Sequence, residues 1–317
     1  MKELFTMWKN TRMIVLTAVT ASIYAAVLIP FKVAIPLVPG FTEVRPANVV
    51  PIVCSLMFGP AAAWGAAIGN TIGDFFGTFG LGTIFGFIGN FLYGYIPYRM
   101  WKAFGSGEPV TPRRRSFSTA LVVALVVLAV VLLLPPAVRT LRDGSAYKID
   151  LSSKPVLFGI FLVTPVSFLA ALFMTLPYLL VTISASLACG IMIGWGVHIL
   201  GLVPFPALGN IIVLNNLLVS IVLGPILLPA LYPVVKRLGL IYSEVMDEQD
   251  QAKARRWASA LMVIAVISAL IVGNWVSIGG YDMGVMGDGF GPVVGQGGVG
   301  LALTPFILLI LIAAAAM

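Results

Sequence analysis

Apolar runs broken by short polar stretches fill almost the whole chain, and their lengths predict helices in lipid rather than strands or a water-soluble core. Ten runs can be marked, at about residues 12–30, 47–59, 61–78, 82–101, 117–135, 156–175, 179–201, 209–235, 257–277 and 301–317. The second is shorter than an ordinary crossing and ends at Gly59-Pro60, and the last is also short. The first stops at Pro30, which places Lys32, Glu43 and Arg45 in a polar loop over 31–46. Within the third and fourth runs the glycines recur every four residues. Gly65, Gly69, Gly73 and Gly77 form one set; Gly82, Gly86 and Gly94 form the next, with Asn90 in the remaining slot. Four-residue spacing stacks positions on one helix side, so these two helices are expected to pack closely on each other. A second small-residue strip, Ala18, Ala21 and Ala25, lies on the first run and suits a close helix neighbour, from this chain or from another subunit.

Composition agrees with that pattern: 60% of the residues are hydrophobic and 10% charged, so the chain reads as an all-α polytopic membrane protein. No polar stretch is long enough to bury a separate soluble core. The net charge of +7 does not mark a nucleic-acid binder, because the bases fall in three clusters between apolar runs. These are Lys2, Lys9 and Arg12; Arg99, Lys102 and Arg113–Arg115; and Lys236, Arg237, Lys253, Arg255 and Arg256. Putting all three in the cytoplasm places both termini there and makes the protein a multi-pass component of the cell membrane. Three parts follow: a core over 1–239 with an inserted hairpin within about 117–180, a charged linker over 240–256, and an appended hairpin over 257–317 with a glycine-rich outer loop.

Of the twelve acidic residues, Asp74 alone falls inside an apolar run, and an ionisable group at that depth is a functional candidate. The expected topology brings Glu43, Arg45, Asn48, Asp74, Asn90, His198, Asn215 and Asn216 to a similar depth near the outside, the layout of a small-molecule pocket. Each could instead serve only as an interhelical hydrogen-bond partner. One His and two dispersed cysteines, Cys54 and Cys189, supply neither a metal site nor a disulfide framework, and no GxSxG marks a nucleophile. No cofactor, metal or catalytic residue is expected, and the chain does not read as an enzyme.

The AxxxA of the first run, the loop TEVRPAN, the short run ending LMFGP, the segment GAAIGNTIGDFFG and the span LNNLLVSIVLGPILLPALYPVVKRLG together resemble the substrate-binding S component of energy-coupling factor (ECF) transporters. The resemblance implies a six-span core within these ten segments. It also implies capture of a vitamin or similar micronutrient from outside, with release driven by a separate transmembrane coupling subunit and ATPases. By position it assigns Ala21 and Ala25 to the coupling subunit, and Glu43, Arg45, Asn48, Asp74, Asn90, Asn215 and Asn216 to the pocket or its lid. Phe75, Phe76, Phe79, Phe85, Phe91, Tyr93 and Tyr95 surround this cluster in sequence and suit a flat heterocycle, riboflavin first and a modified nucleobase precursor next. Two alternatives stand beside this reading: a secondary transporter carrying protons on Asp74 and His198, and a membrane protein with only a structural or assembly role.

Overall fold

The computed structural model describes residues 2–34, 36–38, 42, 43, 45–105, 107–109, 121, 124, 125, 128, 164, 165, 168, 176–277 and 298–317. A short helix, α1 (Lys2–Thr6), and a 3-10 turn (Met7–Lys9) lead into α2 (Thr11–Ala34). An antiparallel hairpin of β1 (Pro36–Val38) and β2 (Thr42–Glu43) follows, then a 3-10 turn (Pro46–Asn48) and α3 (Val49–Phe58). The remaining long helices are α4 (Pro60–Asp74), α5 (Gly82–Phe104), α6 (Leu176–Ile199), α7 (Phe205–Arg237), α9 (Arg256–Ser277) and α10 (Val299–Ala316); a single turn, α8 (Tyr242–Val245), joins α7 to α9. The chain is an all-α polytopic membrane protein, with five helices among the described residues long and apolar enough to cross a bilayer. All but a few residues of the runs expected over 117–135 and 156–175, and most of the glycine-rich loop, lie outside the described residues.

Several boundaries differ from the sequence reading. Helix α2 continues through Pro30 to Ala34, because a packed membrane helix can absorb the hydrogen bond that proline removes. That extension moves Lys32 from the expected loop onto the helix. The last helix begins at Val299 and is long enough to cross, so its expected shortfall is corrected. The short second run is real: α3 has ten residues, about 15 Å of helix against a hydrocarbon layer of about 30 Å. The loop before it therefore descends into the bundle, carrying Glu43, Arg45 and Asn48 with it, and all three are buried.

The glycine face of α4 meets α2, not α5 as its spacing suggested. A Cβ at Gly65 would strike Thr20 and the Thr17 carbonyl, one at Gly69 would lie 2.8 Å from the Ala21 carbonyl oxygen, and one at Gly73 would press Leu28 at 2.5 Å. Gly77 lies beyond the end of α4, where nothing packs on it. On α5 the glycines serve different neighbours: Gly94 sits on Ala62 and Ala63 of α4, and Gly89 on Cys189 and Ile193 of α6. Spacing identifies a close-packing face, but it does not say which helix fills it.

One end of the bundle is tied by a buried charge cluster. Glu3 accepts from Arg99 Nη1 and the Tyr98 hydroxyl, each at 3.0 Å, and from the Ala252 backbone N–H at 2.8 Å. Arg99 donates onward to the carbonyls of Ala252 and Lys253. The chain between α7 and α9 is thus folded against α1 and the end of α5. The helices after it are also joined to the rest: Asn274 of α9 and Asn210 of α7 exchange amide hydrogen bonds, Trp195 donates to Gly300, and Tyr95 donates to the Ala314 carbonyl.

Candidate functional site

At the end of the bundle opposite Arg99, a cavity of about 300 Å³ lies between α4, α5, α6 and the start of α7. One wall is polar and comprises Arg45, Asn70, Asp74, Thr78 and Thr83; the facing wall is aliphatic, with Ile193, Val197, Leu208 and Ile212. The α4–α5 loop contributes Gly77, Phe79, Gly80 and Leu81 to the rim, and Leu202 stands across from it. Gly82 and Gly86 form the α5 side, so backbone rather than side chains meets the cavity there.

Asp74 is the centre of the polar wall. Its Oδ1 accepts from Lys32 Nζ at 2.6 Å and from Thr78 Oγ1 at 2.9 Å, and its Oδ2 accepts from Asn70 Nδ2 at 3.1 Å. Lys32 also donates to Thr78. The pair is closed off from solvent, with side-chain exposures of 1% for Lys32 and 7% for Asp74. Asn70 passes the contact on, because its Oδ1 accepts from Arg45 Nη1 at 3.1 Å. Arg45 Nε lies 2.8 Å from Glu43 Oε1. Burial is the largest influence and opposes the charge on the guanidinium, but Glu43 first, with Tyr24 and Asp74, together outweigh it and hold the Arg45 pKa above its ordinary value. Two acids and two bases thus alternate along one line, Glu43, Arg45, Asn70, Asp74 and Lys32, and their charges cancel.

Of the eight side chains singled out in the sequence, Arg45 and Asp74 line this cavity. Five others hold it in place or lie behind it. Asn215 copies the hydrogen bonds of a neighbouring strand: its Nδ2 donates to the Glu43 carbonyl at 2.7 Å and its Oδ1 accepts the Arg45 backbone N–H at 3.2 Å. Glu43 anchors Arg45 through its side chain. Asn48 Nδ2 donates to Asn216 Oδ1 at 2.5 Å, and the Tyr24 hydroxyl shares its proton between Asn48 Oδ1 and Asn90 Oδ1 at 2.9 and 3.0 Å. Tyr93 and Ser220 extend this second layer, with the Tyr93 hydroxyl 2.7 Å from Ser220 Oγ, while Ser220 donates to the Asn48 carbonyl. His198 does not line the cavity; its Nδ1 accepts the Phe205 N–H at the start of α7. Among the described residues no three His, Cys, Asp or Glu side chains gather as a metal-binding group.

Sequence reasoning missed Lys32, Asn70 and Thr78. Asn70 and Thr78 lie four residues before and after Asp74, a spacing that puts all three on one side of the helix and its first following turn. Lys32 was hidden by reading Pro30 as a stop. The aromatic wall is also corrected: of the seven rings, only Phe79 reaches the cavity. Phe75 stacks on Phe79 at 4.4 Å, Phe76 is exposed, and Phe85 packs against Trp195 and the Gly196 backbone. Phe91, Tyr93 and Tyr95 serve the interior below.

The alanine strip divides in two. Ala21 and Ala25, each 5% exposed, turn inward, and Ala21 meets the glycine face of α4; Ala18 turns outward with Ser22 and Ala26 at the same four-residue spacing. The strip open to another helix is therefore offset from the AxxxA read in the sequence.

No curated protein and no solved structure matches the chain. Residues 14–147, which include most of α2, the loop bearing Glu43 and Arg45, and α3 to α5, match the family model described as QueT transporter. That family is one of ECF S components, and over those residues, less than half of its length, the chain is similar to it.

Proposed function

We propose that this protein captures a queuosine precursor, a modified nucleobase, from outside the cell and releases it inside when coupled to a separate transmembrane subunit and ATPases. The observation that carries the reading is the cavity with one polar and one aliphatic wall, whose polar wall lies inside the region that matches the QueT transporter family. A volume of about 300 Å³ is at the small end for ligand sites, which suits a bicyclic base better than riboflavin with its third ring and sugar-like chain. The flat glycine surface of α5 opposite aliphatic side chains also suits a thin planar solute.

The orientation follows from charge. Lys2, Arg99, Lys102 and Lys253 meet at the end away from the cavity, and basic residues favour the cytoplasmic side, so the cavity faces outward and both termini face inward. The outward strip of Ala18, Ser22 and Ala26 is the face we assign to the coupling subunit. A proton-coupled mechanism through Asp74 and His198 has less support, since Asp74 is held by Lys32 and His198 accepts a backbone N–H outside the cavity. The test is to purify the full chain and identify by mass spectrometry the small molecule that leaves with it on denaturation. A modified guanine-like base is expected; a flavin or another vitamin in stoichiometric amount would overturn the assignment of cargo.

A further inference from the structure

The polar wall has a fixed sense of donor and acceptor, and this specifies the edge of the molecule it can read. Arg45 has only donors, so the Asn70 oxygen must face it, and the Asn70 amide nitrogen is then directed at Asp74. The amide cannot turn over without opposing a donor to a donor on one side and an acceptor to an acceptor on the other. Arg45 keeps its Nη2 group without a hydrogen-bond partner among the described residues, and Asp74 Oδ2 has accepted one bond and can accept another. Both belong to the cavity lining. Arg45 and Asp74 are also the only charged residues among the described lining, and each is already neutralised by a buried partner, Glu43 and Lys32. A carboxylate or a cationic edge placed there would be stripped of water with no unpaired counter-charge to meet it.

Resting on the cargo class proposed above, we infer that the cavity reads a neutral edge in which a ring carbonyl accepts from Arg45 while the neighbouring ring N–H or amino group donates to Asp74. Asn70 is the positioning residue that sets the spacing of the two. The lactam edge of a guanine-type ring has this order of groups. An adenine-type edge presents an amino group where the guanidinium also donates, leaving two buried donors opposed, and sites of this kind discriminate strongly. Gly86 is the opening through which the edge approaches: a Cβ there would lie 3.2 Å from Asn70 Nδ2 and 3.6 Å from Asp74 Oδ2, over the atoms to be read.

The experiment is calorimetric titration of the purified full chain in detergent with guanine and with adenine. Guanine is expected to bind at least about tenfold more tightly, the change that one well-made hydrogen bond to a charged group supplies. Gly86→Ala should weaken guanine binding by more than its small shift in melting temperature accounts for, because the added methyl stands against Asn70 Nδ2 and over the Asp74 carboxylate. The charge-balanced double variant Lys32→Met/Asp74→Leu removes the acceptor itself and should lose the preference between the two bases; a folded double variant that keeps the preference overturns the role of Asp74. Equal binding of both bases by the wild type, or preference for adenine, overturns the edge assignment and leaves the cargo class standing. Wild-type guanine affinity in Gly86→Ala overturns the approach past Gly86. Binding of neither base overturns the cargo class and this inference with it.

Discussion

Asp74 combines two roles that a single substitution would confuse. Removing its charge leaves Lys32 buried and unpaired, and breaking such a pair costs about 3–5 kcal/mol. Asp74→Asn alone is therefore expected to lower the stability in detergent by that order, measured by thermal or denaturant unfolding. Lys32→Met added to it should recover most of the loss, since Asn can still engage Asn70 and Thr78. Failure of the second substitution to restore stability would show that the pair is not what the first disturbs. At this scale the sequence was partly legible. A lone acid in an apolar run drew attention to Asp74, and TEVRPAN drew attention to Arg45. Their partners were harder, because whether a polar residue lines a cavity or braces one depends on which way its helix is turned. Asn215 and Arg45 look equally polar in sequence, yet one presents its side chain to the cavity and the other is spent on backbone groups at 43 and 45.

Among the helices, the α2–α4 contact depends on missing side chains. A Cβ on Gly69 would meet the Ala21 carbonyl oxygen at 2.8 Å, a backbone atom that cannot swing away, so Gly69→Ala should destabilise by about 1–3 kcal/mol through overpacking. Gly80→Ala, where nothing lies within 4 Å, should leave the unfolding midpoint nearly unchanged. Equal effects in parallel melts would contradict the packing described. Among the described residues, element existence was readable wherever an apolar run exceeded a few turns, and the short α3 was readable from Gly59-Pro60. The end of α2 was not, because a proline that stops a helix in water is carried through when its neighbours are packed. The inward-folded loop also has no signal of its own. It follows from the shortness of the helix after it.

For the whole molecule, α9 and α10 are bound to the bundle by Asn274 with Asn210, by Trp195 with Gly300 and by Tyr95 with Ala314. Gly273 of α9 also lies against Phe205 at the start of α7. Ending the chain after residue 239 removes the partners of all these groups and uncovers apolar surface on α6 and α7. Such a fragment is expected to run as an aggregate in size-exclusion chromatography, and the full chain as one symmetric peak; a monodisperse fragment would show that the last helices are dispensable. This interlocking was invisible in the sequence, where a charged stretch before residue 257 reads as a boundary. The six-helix likeness pointed to the region that carries the polar wall of the cavity.

The stub-like α3 has one more effect. Gly59, at its far end, abuts the Tyr242 ring beside the Tyr98 and Arg99 group, whereas Asn48, at its near end, already touches the buried amides of α7. Hydrophilic ground thus reaches roughly half the thickness of the lipid before any rearrangement, by the rise of an α-helix.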